Sequence, residues 1–212
     1  MTSGSNDVID DDDDDDDHDT DEEALDPDLP EYQRLTAMAK FALGINKIPW
    51  LSRVGQPLSR EDNELAEAYL NALGFPNSYV SAVETWEEAA GFAENPEWNT
   101  EWWEAEEQLR AGLVAQASED IDEVDLTTAL NHIAGQAAGI ATELVSGAAI
   151  DAGYNDEEFV TAVGGAIVAA CYAAGLVLAA GVEEDHPFAL KFRLLETGRF
   201  PLGVIGTTFS LF

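Results

Sequence analysis

Residues 160–182 form an uncharged run of 23 residues, VTAVGGAIVAACYAAGLVLAAGV, and this run restricts the fold more than any other feature of the chain. As a helix it is long enough to cross a bilayer. However, eight of its residues are Ala and four are Gly, and acidic residues flank it on both sides, so that neither its composition nor its charge pattern favours a membrane span. A helix that is apolar on all sides is also expected at the centre of a soluble bundle. We therefore interpret the run as a buried core helix, with a membrane-anchored hairpin over residues 133–182 as the alternative.

Helical patterns cover most of the chain after residue 28. The clearest helix begins with a capping box formed by Ser59 and Asp62 and ends at Gly74. Apolar periodicity and Gly or Pro stops predict further helices over residues 30–44, 77–95, 99–120, 125–152, 155–181 and 187–198. Residues 199–212 lack this periodicity, and their Pro, Gly and β-branched residues favour an extended segment or a hairpin around Gly203–Gly206.

The predicted fold class follows from this pattern. It is all-α, a bundle of six to seven helices with an Ala/Gly-rich central hairpin and a short extended or β-hairpin segment at the C-terminus. Short loops between the predicted helices favour packing of neighbours along the chain, and the two longest helices would form the central hairpin.

Acidic residues dominate the charge of the chain, with 43 Asp and Glu against nine Lys and Arg and a net charge of -34. Residues 1–28 contain 15 of the acidic residues and no Lys or Arg. Such a segment has too little apolar surface to offset its ordering entropy, so we expect a disordered poly-acidic tail there. Residues 29–212 are then expected to form a single helical domain, which still carries 28 acidic residues against nine basic ones.

This composition, with abundant Asp and Glu, only three Lys and an Ala/Gly/Val-rich core, resembles that of proteins from salt-in halophilic archaea. The resemblance implies a cytoplasm of molar KCl and names no family. We expect a cytoplasmic location, because the N-terminus shows neither a basic region nor an apolar region typical of a secretory signal. Nucleic acid is not an expected partner, since no basic patch occurs and residues 111–190 contain no Lys or Arg.

Catalytic signals are weak. The sequence contains no phosphate-binding loop, dinucleotide fingerprint or zinc-protease motif, and its single cysteine, Cys171, lies in an apolar run, so we expect neither a cofactor nor a metal site. The best acid–base candidates are His132 and Glu143, which share a helical face with Asn131 and Gln136. Polar groups satisfied within a bundle or facing solvent explain the same stripe, and we favour that interpretation.

Binding signals lie in two places. The acidic segment 96–107 contains Trp98, Trp102 and Trp103, and the last two project about 100° apart on a helix, so that one can enter the core while the other lies at its rim. An exposed Trp there would suit a protein partner or a cationic ligand, although core packing is the favoured role for most of these residues. Phe212 would end either a docking peptide or, as we favour, the closing strand of the fold.

The functional expectation is a soluble helical protein that acts as a non-catalytic protein-binding or structural and regulatory module. The alternatives are the membrane-anchored hairpin and a small enzyme with an acid–base site at His132 and Glu143. The sequence leaves the oligomeric state open.

Overall fold

The structure, a computed structural model, describes residues 29–212, and the predicted disordered tail over residues 1–28 lies outside this range. Within it, seven α-helices are joined by a 3₁₀ turn and three short strands. The helices are α1 (Pro30–Gly44), α2 (Arg60–Leu73), α3 (Trp86–Ala93), α4 (Thr100–Ala117), α5 (Glu123–Asp151), α6 (Glu157–Ala180) and α7 (Pro187–Glu196). The 3₁₀ turn covers Ile45–Lys47, and the strands are β1 (Tyr79–Ala82), β2 (Pro201–Ile205) and β3 (Thr208–Leu211).

The chain is mostly helical, but it is not all-α as predicted. The strands form one sheet in the order β1-β3-β2, in which β1 runs parallel to β3 and β2 antiparallel to it. The predicted hairpin at the C-terminus is therefore confirmed, with its turn at Gly206. The prediction of a helix over residues 77–95 is wrong for the first half of this range, where Val80 pairs with Phe209 in the sheet. Helix α3 starts at Trp86, with Thr85 as its N-cap.

The Ala/Gly-rich hairpin of α5 and α6 forms the main apolar core together with α1 and the C-terminal segment. Small residues allow its two helices to approach closely. A Cβ atom placed on Gly175 would lie 2.8 Å from Ile133 Cδ1 and 3.2 Å from Leu130 Cδ2, so only glycine fits this contact without a shift. Cys171 is fully buried there, and burial raises the pKa of its thiol to about 12, which makes it an inert packing residue.

Both ends of this hairpin contact the rest of the domain. At one end Leu130 and Ile133 belong to the same core cluster as Met38 of α1. At the other end Tyr154 stacks on Trp86 of α3, with ring centroids 5.6 Å apart, and Trp86 also meets the ring of Phe212 at 5.1 Å. The hairpin therefore packs against the other described helices along its length and does not project from them.

A second apolar core lies between α2, α7 and the sheet. The same region contains a buried ionic cluster, which is formed by Arg199 and Asp62. Arg199 is fully buried, donates to Asp62 Oδ2 at 3.2 Å and also donates to the backbone carbonyls of residues 53, 56 and 57. Asp62 forms the predicted capping box with Ser59. Burial raises the pKa of Asp62, but the hydrogen bonds from Ser59 and the charges of Arg199 and Arg53 outweigh it, so the pKa lies below its usual range.

Candidate binding cavity

A cavity of about 420 Å³ lies between α4, α6, α7 and the start of β2. This volume is in the range of small-molecule sites, about 300–1,000 Å³. One wall is the small-residue face of α6, which contributes Gly165, Ala166, Ala169, Ala170 and Ala173. The opposite wall is apolar and consists of Phe188, Phe192, Leu195, Phe200 and Leu202.

The three predicted tryptophans come together at this cavity. Asn99 caps α4 by accepting the Trp102 N–H at 3.0 Å, and its own N–H donates to Val204 O of β2 at 3.0 Å. Trp98 packs over Gly203, where any Cβ atom would lie 2.6 Å from the indole ring and where φ is +134°. These contacts fix the start of α4 against the sheet and thereby aim the tryptophans at the cavity.

Trp102 and Trp103 divide between core and rim, as their 100° separation on the helix predicts. Trp102 is 4% exposed and packs in the second core, whereas Trp103 is 56% exposed at the cavity mouth. Trp98 lies between these extremes and meets Trp102 with ring centroids 6.3 Å apart. The cavity therefore has one aromatic side chain in its floor and another free to contact a bound molecule.

A chain of hydrogen bonds forms the polar floor of the cavity. Lys191 Nζ donates to both oxygens of Glu106, at 2.7 and 2.9 Å, and lies 5.0 Å over the Trp102 ring. Tyr69 donates its hydroxyl to Glu106 Oε1 at 2.7 Å and accepts the Trp102 indole N–H at 2.8 Å. Burial, followed by the nearby Glu106 carboxylate, raises the pKa of Tyr69 well above its usual value, so this residue stays a neutral donor.

Arg110 provides a second basic group, one turn along α4 from Glu106. Its guanidinium lies 5.6 Å over the Phe188 ring and pairs with Glu107. The Arg110 side chain is 28% exposed, and that of Lys191 is 21% exposed, so that both reach the cavity surface. Glu106, at 3%, lies behind Lys191.

The polar floor is suited to orienting a ligand and poorly suited to proton transfer. Both oxygens of Glu106 already accept hydrogen bonds, and Tyr69 is fully buried. Within residues 29–212 no buried side-chain nitrogen or oxygen lacks a hydrogen-bond partner, and no three potential metal ligands come together. A general base needs a free lone pair within reach of a substrate proton, and Glu106, with 3% of its side chain exposed and three hydrogen bonds already accepted, presents little of its carboxylate to a bound molecule.

The polar stripe of α5 lies elsewhere, on the outer face of the hairpin. Asn131, His132, Gln136 and Glu143 are all exposed. His132 borders a shallow concavity against α1, and Glu143 lies three turns further along the helix, about 16 Å away. The structure does not bring the two side chains together, and their acid–base role stays a prediction.

Phe212 lies in the apolar core. Its backbone N–H and carbonyl both pair with Phe200, at 2.8 and 2.6 Å, and its side chain is fully buried against Trp86. It therefore ends the closing strand segment, which is the role favoured from the sequence, and its ring is not available to a partner.

The sequence did not predict the polar groups of the cavity, namely Glu106, Arg110 and Lys191 in its lining and the buried Tyr69 that donates to Glu106. One signal was present, because Arg110 and Lys191 are the two residues that bracket the stretch 111–190, which contains no Lys or Arg. The fold brings the two ends of this stretch together at one cavity. No protein-family model matches the chain, and no curated protein or solved structure is significantly similar to it.

Proposed function

We propose that this protein is a non-catalytic binding module and that its binding site is the cavity between α4, α6 and α7. The proposal rests mainly on the convergence of three tryptophans on a cavity with apolar walls. The polar groups in the floor of this cavity already form hydrogen bonds with one another. Ligand sites typically combine apolar walls with a few placed polar groups. A protein partner, the kind of partner expected from the sequence, would insert an apolar side chain past Trp103, whereas a small molecule would fill the cavity on its own.

The test is binding of Nile red, a neutral apolar dye, to the full-length protein. Ala169 is exposed on α6 and lines the cavity, so that Ala169→Phe places a ring in the empty space without overpacking the core. Ala162→Phe is the matched control, because it is exposed on the same helix two turns away and lies outside the cavity lining. We expect at least tenfold weaker dye binding for Ala169→Phe and unchanged binding for Ala162→Phe. Equal binding by the two variants, or no binding by the unmodified protein, would refute the proposal.

The membrane-anchored hairpin remains the second candidate, because α5 and α6 are both long and apolar enough to cross a bilayer. In the most apolar 18-residue stretch of each helix, half of the residues of α6 are buried but under a third of those of α5. Leu144 and Ile150 of α5 are exposed. Two observations oppose a membrane span. Both ends of the hairpin pack on the other helices, at Tyr154 against Trp86 and at Ile133 in the core with Met38. The charged Glu143 would also be costly in lipid. Fractionation of native lysate in molar KCl distinguishes the two, since a spanning hairpin would leave the membrane pellet only with detergent.

We also propose that the protein works in the cytoplasm of a salt-in halophile. The described domain carries 28 acidic and nine basic residues, and six of its basic side chains are already engaged in ion pairs. Lowering KCl from molar concentrations to about 0.1 M lengthens the screening distance to about 10 Å and strengthens repulsion between these acids. We expect the helical circular-dichroism signal to fall over that range. A signal that does not change would contradict this part of the proposal.

A further inference from the structure

The charge of the cavity points to a chemical class of ligand. We propose, building on the binding role above, that the cavity binds a medium-length amphiphile with a carboxylate head, and that the head lies against Lys191 and Arg110. The apolar tail would lie between the small-residue face of α6 and the aromatic wall of α7.

The lining of the cavity reverses the charge bias of the protein, while Glu107, the ion-pair partner of Arg110, lies outside the lining. Although acidic residues outnumber basic ones about threefold in the described domain, the lining contains two basic residues, Lys191 and Arg110, and one acidic residue, Glu106. Four other concavities in residues 29–212 show no such excess of bases, and the one beside Arg193 has three glutamates in its lining. An anion would therefore find a more favourable potential here than at those other sites.

Side-chain exposure decides which of the three charges a ligand meets. Glu106 is 3% exposed and its oxygens are bound by Lys191 and Tyr69, whereas Lys191 and Arg110 are 21% and 28% exposed. Two of the three N–H groups of Lys191 are needed for Glu106, and one guanidinium nitrogen of Arg110 pairs with Glu107. The remaining donors can form charge-assisted hydrogen bonds with a carboxylate.

A cationic ligand, which the tryptophans alone would suggest, is disfavoured by the same geometry. The Lys191 ammonium already lies 5.0 Å over the Trp102 ring, and the Arg110 guanidinium lies 5.6 Å over the Phe188 ring. Both of these aromatic faces are thus occupied by the protein's own cations. A second positive charge would be repelled from the positions where cation–π attraction is strongest.

The volume sets the length of the tail. A water molecule occupies about 30 Å³ in the liquid, so a cavity of about 420 Å³ has room for about fourteen groups of that size. Decanoate, with a ten-carbon chain and a terminal carboxylate, fits within this limit. Its head can reach Lys191 while its chain lies along Ala166, Ala169 and Phe192.

The experiment titrates the full-length protein with decanoate, decanol and decyltrimethylammonium in the same KCl buffer and follows tryptophan fluorescence. We expect decanoate to bind at least tenfold more tightly than either of the other two. Equal affinity for decanoate and decanol, or tighter binding of the cation, would overturn the carboxylate assignment. If Nile red still binds in that case, the binding role stands and only the ligand class fails, whereas loss of all binding refutes both.

Two variants test the residues themselves. Arg110→Met leaves the buried floor intact and should reduce the preference for decanoate over decanol at least threefold. The double variant Lys191→Met/Glu106→Gln removes the ion pair as a unit, so that no buried charge is left alone, and should abolish the preference. Arg193→Met is the matched control, because this arginine lies on α7 outside the cavity lining. A preference that is unchanged in Arg110→Met, or that falls equally in Arg193→Met, would contradict the proposal.

Discussion

The hairpin of α5 and α6 and the region of α2, α4, α7 and the sheet are stabilised in different ways. Buried side chains in the hairpin are apolar, such as Ala137, Val145 and Ile167. All four buried polar or charged residues of the described domain, Asp62, Glu106, Arg199 and Ser210, lie outside the hairpin. The hairpin is thus a close-packed scaffold with little chemistry of its own, while specific polar contacts concentrate around the cavity and the sheet. In this protein the longest apolar helices position a site whose polar groups come from other elements.

The largest loss of stability is expected from removing Arg199, which holds the buried ionic cluster together. Arg199→Ala would leave the buried Asp62 with Arg53 as its one remaining ionic partner and would remove the donors to three backbone carbonyls, so we expect the free energy of unfolding to fall by about 3–5 kcal/mol. Denaturant unfolding in constant KCl measures the change. Arg60→Ala is the control, because the Arg60–Glu64 pair is exposed and should contribute less than about 0.5 kcal/mol. Similar losses for the two variants would show that the buried cluster does not stabilise this region.

The stability of the hairpin is expected to depend on side-chain volume and not on charge, because its buried residues are apolar. Gly175→Leu forces a side chain against Ile133 and Leu130 and should cost about 1–3 kcal/mol through overpacking. At Gly139, on the exposed face of α5, a Cβ atom would meet nothing within 4 Å, so Gly139→Leu should be neutral or stabilising by up to about 1 kcal/mol, since Leu has the higher helix propensity. Thermal unfolding followed by circular dichroism compares the two. If Gly139→Leu proved as costly as Gly175→Leu, the outer face of α5 would be packed against something else.

The smallest effects are expected on the outer polar stripe. His132→Ala and Glu143→Ala should each change the free energy of unfolding by less than about 0.5 kcal/mol, because both side chains are exposed. Neither variant should alter Nile red binding at the cavity. A large loss of binding from either one would move the functional site to α5 and revive the alternative of an acid–base site there.

Local signals explain why most of the helices could be predicted. The capping box of Ser59, the cap at Asn99 and the glycine stop at Gly181 are contained within a few residues, and the structure shows each of them. Strand β1 could not be predicted in this way, because its partner β3 (Thr208–Leu211) is far away along the sequence, although the two strands are adjacent in the sheet. The spacing of Val80, Val83 and Trp86 also fits a helix, so that only the distant pairing decides between the two.

The candidate site was predictable to a smaller extent. The tryptophans stood out because they are close together in the sequence, and the structure places Trp98, Trp102 and Trp103 at one cavity. Tyr69, Glu106 and Lys191 come from three different helices, and their hydrogen bonds exist only after tertiary packing. A sequence pattern contains local spacing, whereas this polar floor is a property of the folded arrangement.

The most direct test of ligand binding at the cavity is an amide NMR titration of the full-length protein with decanoate in molar KCl. We expect shifts confined to the elements around the cavity, namely residues 98–110, 165–173 and 187–202, with no change along the outer face of α5. Shifts centred on residues 131–147 would contradict this expectation and would place binding on the exposed side of the hairpin.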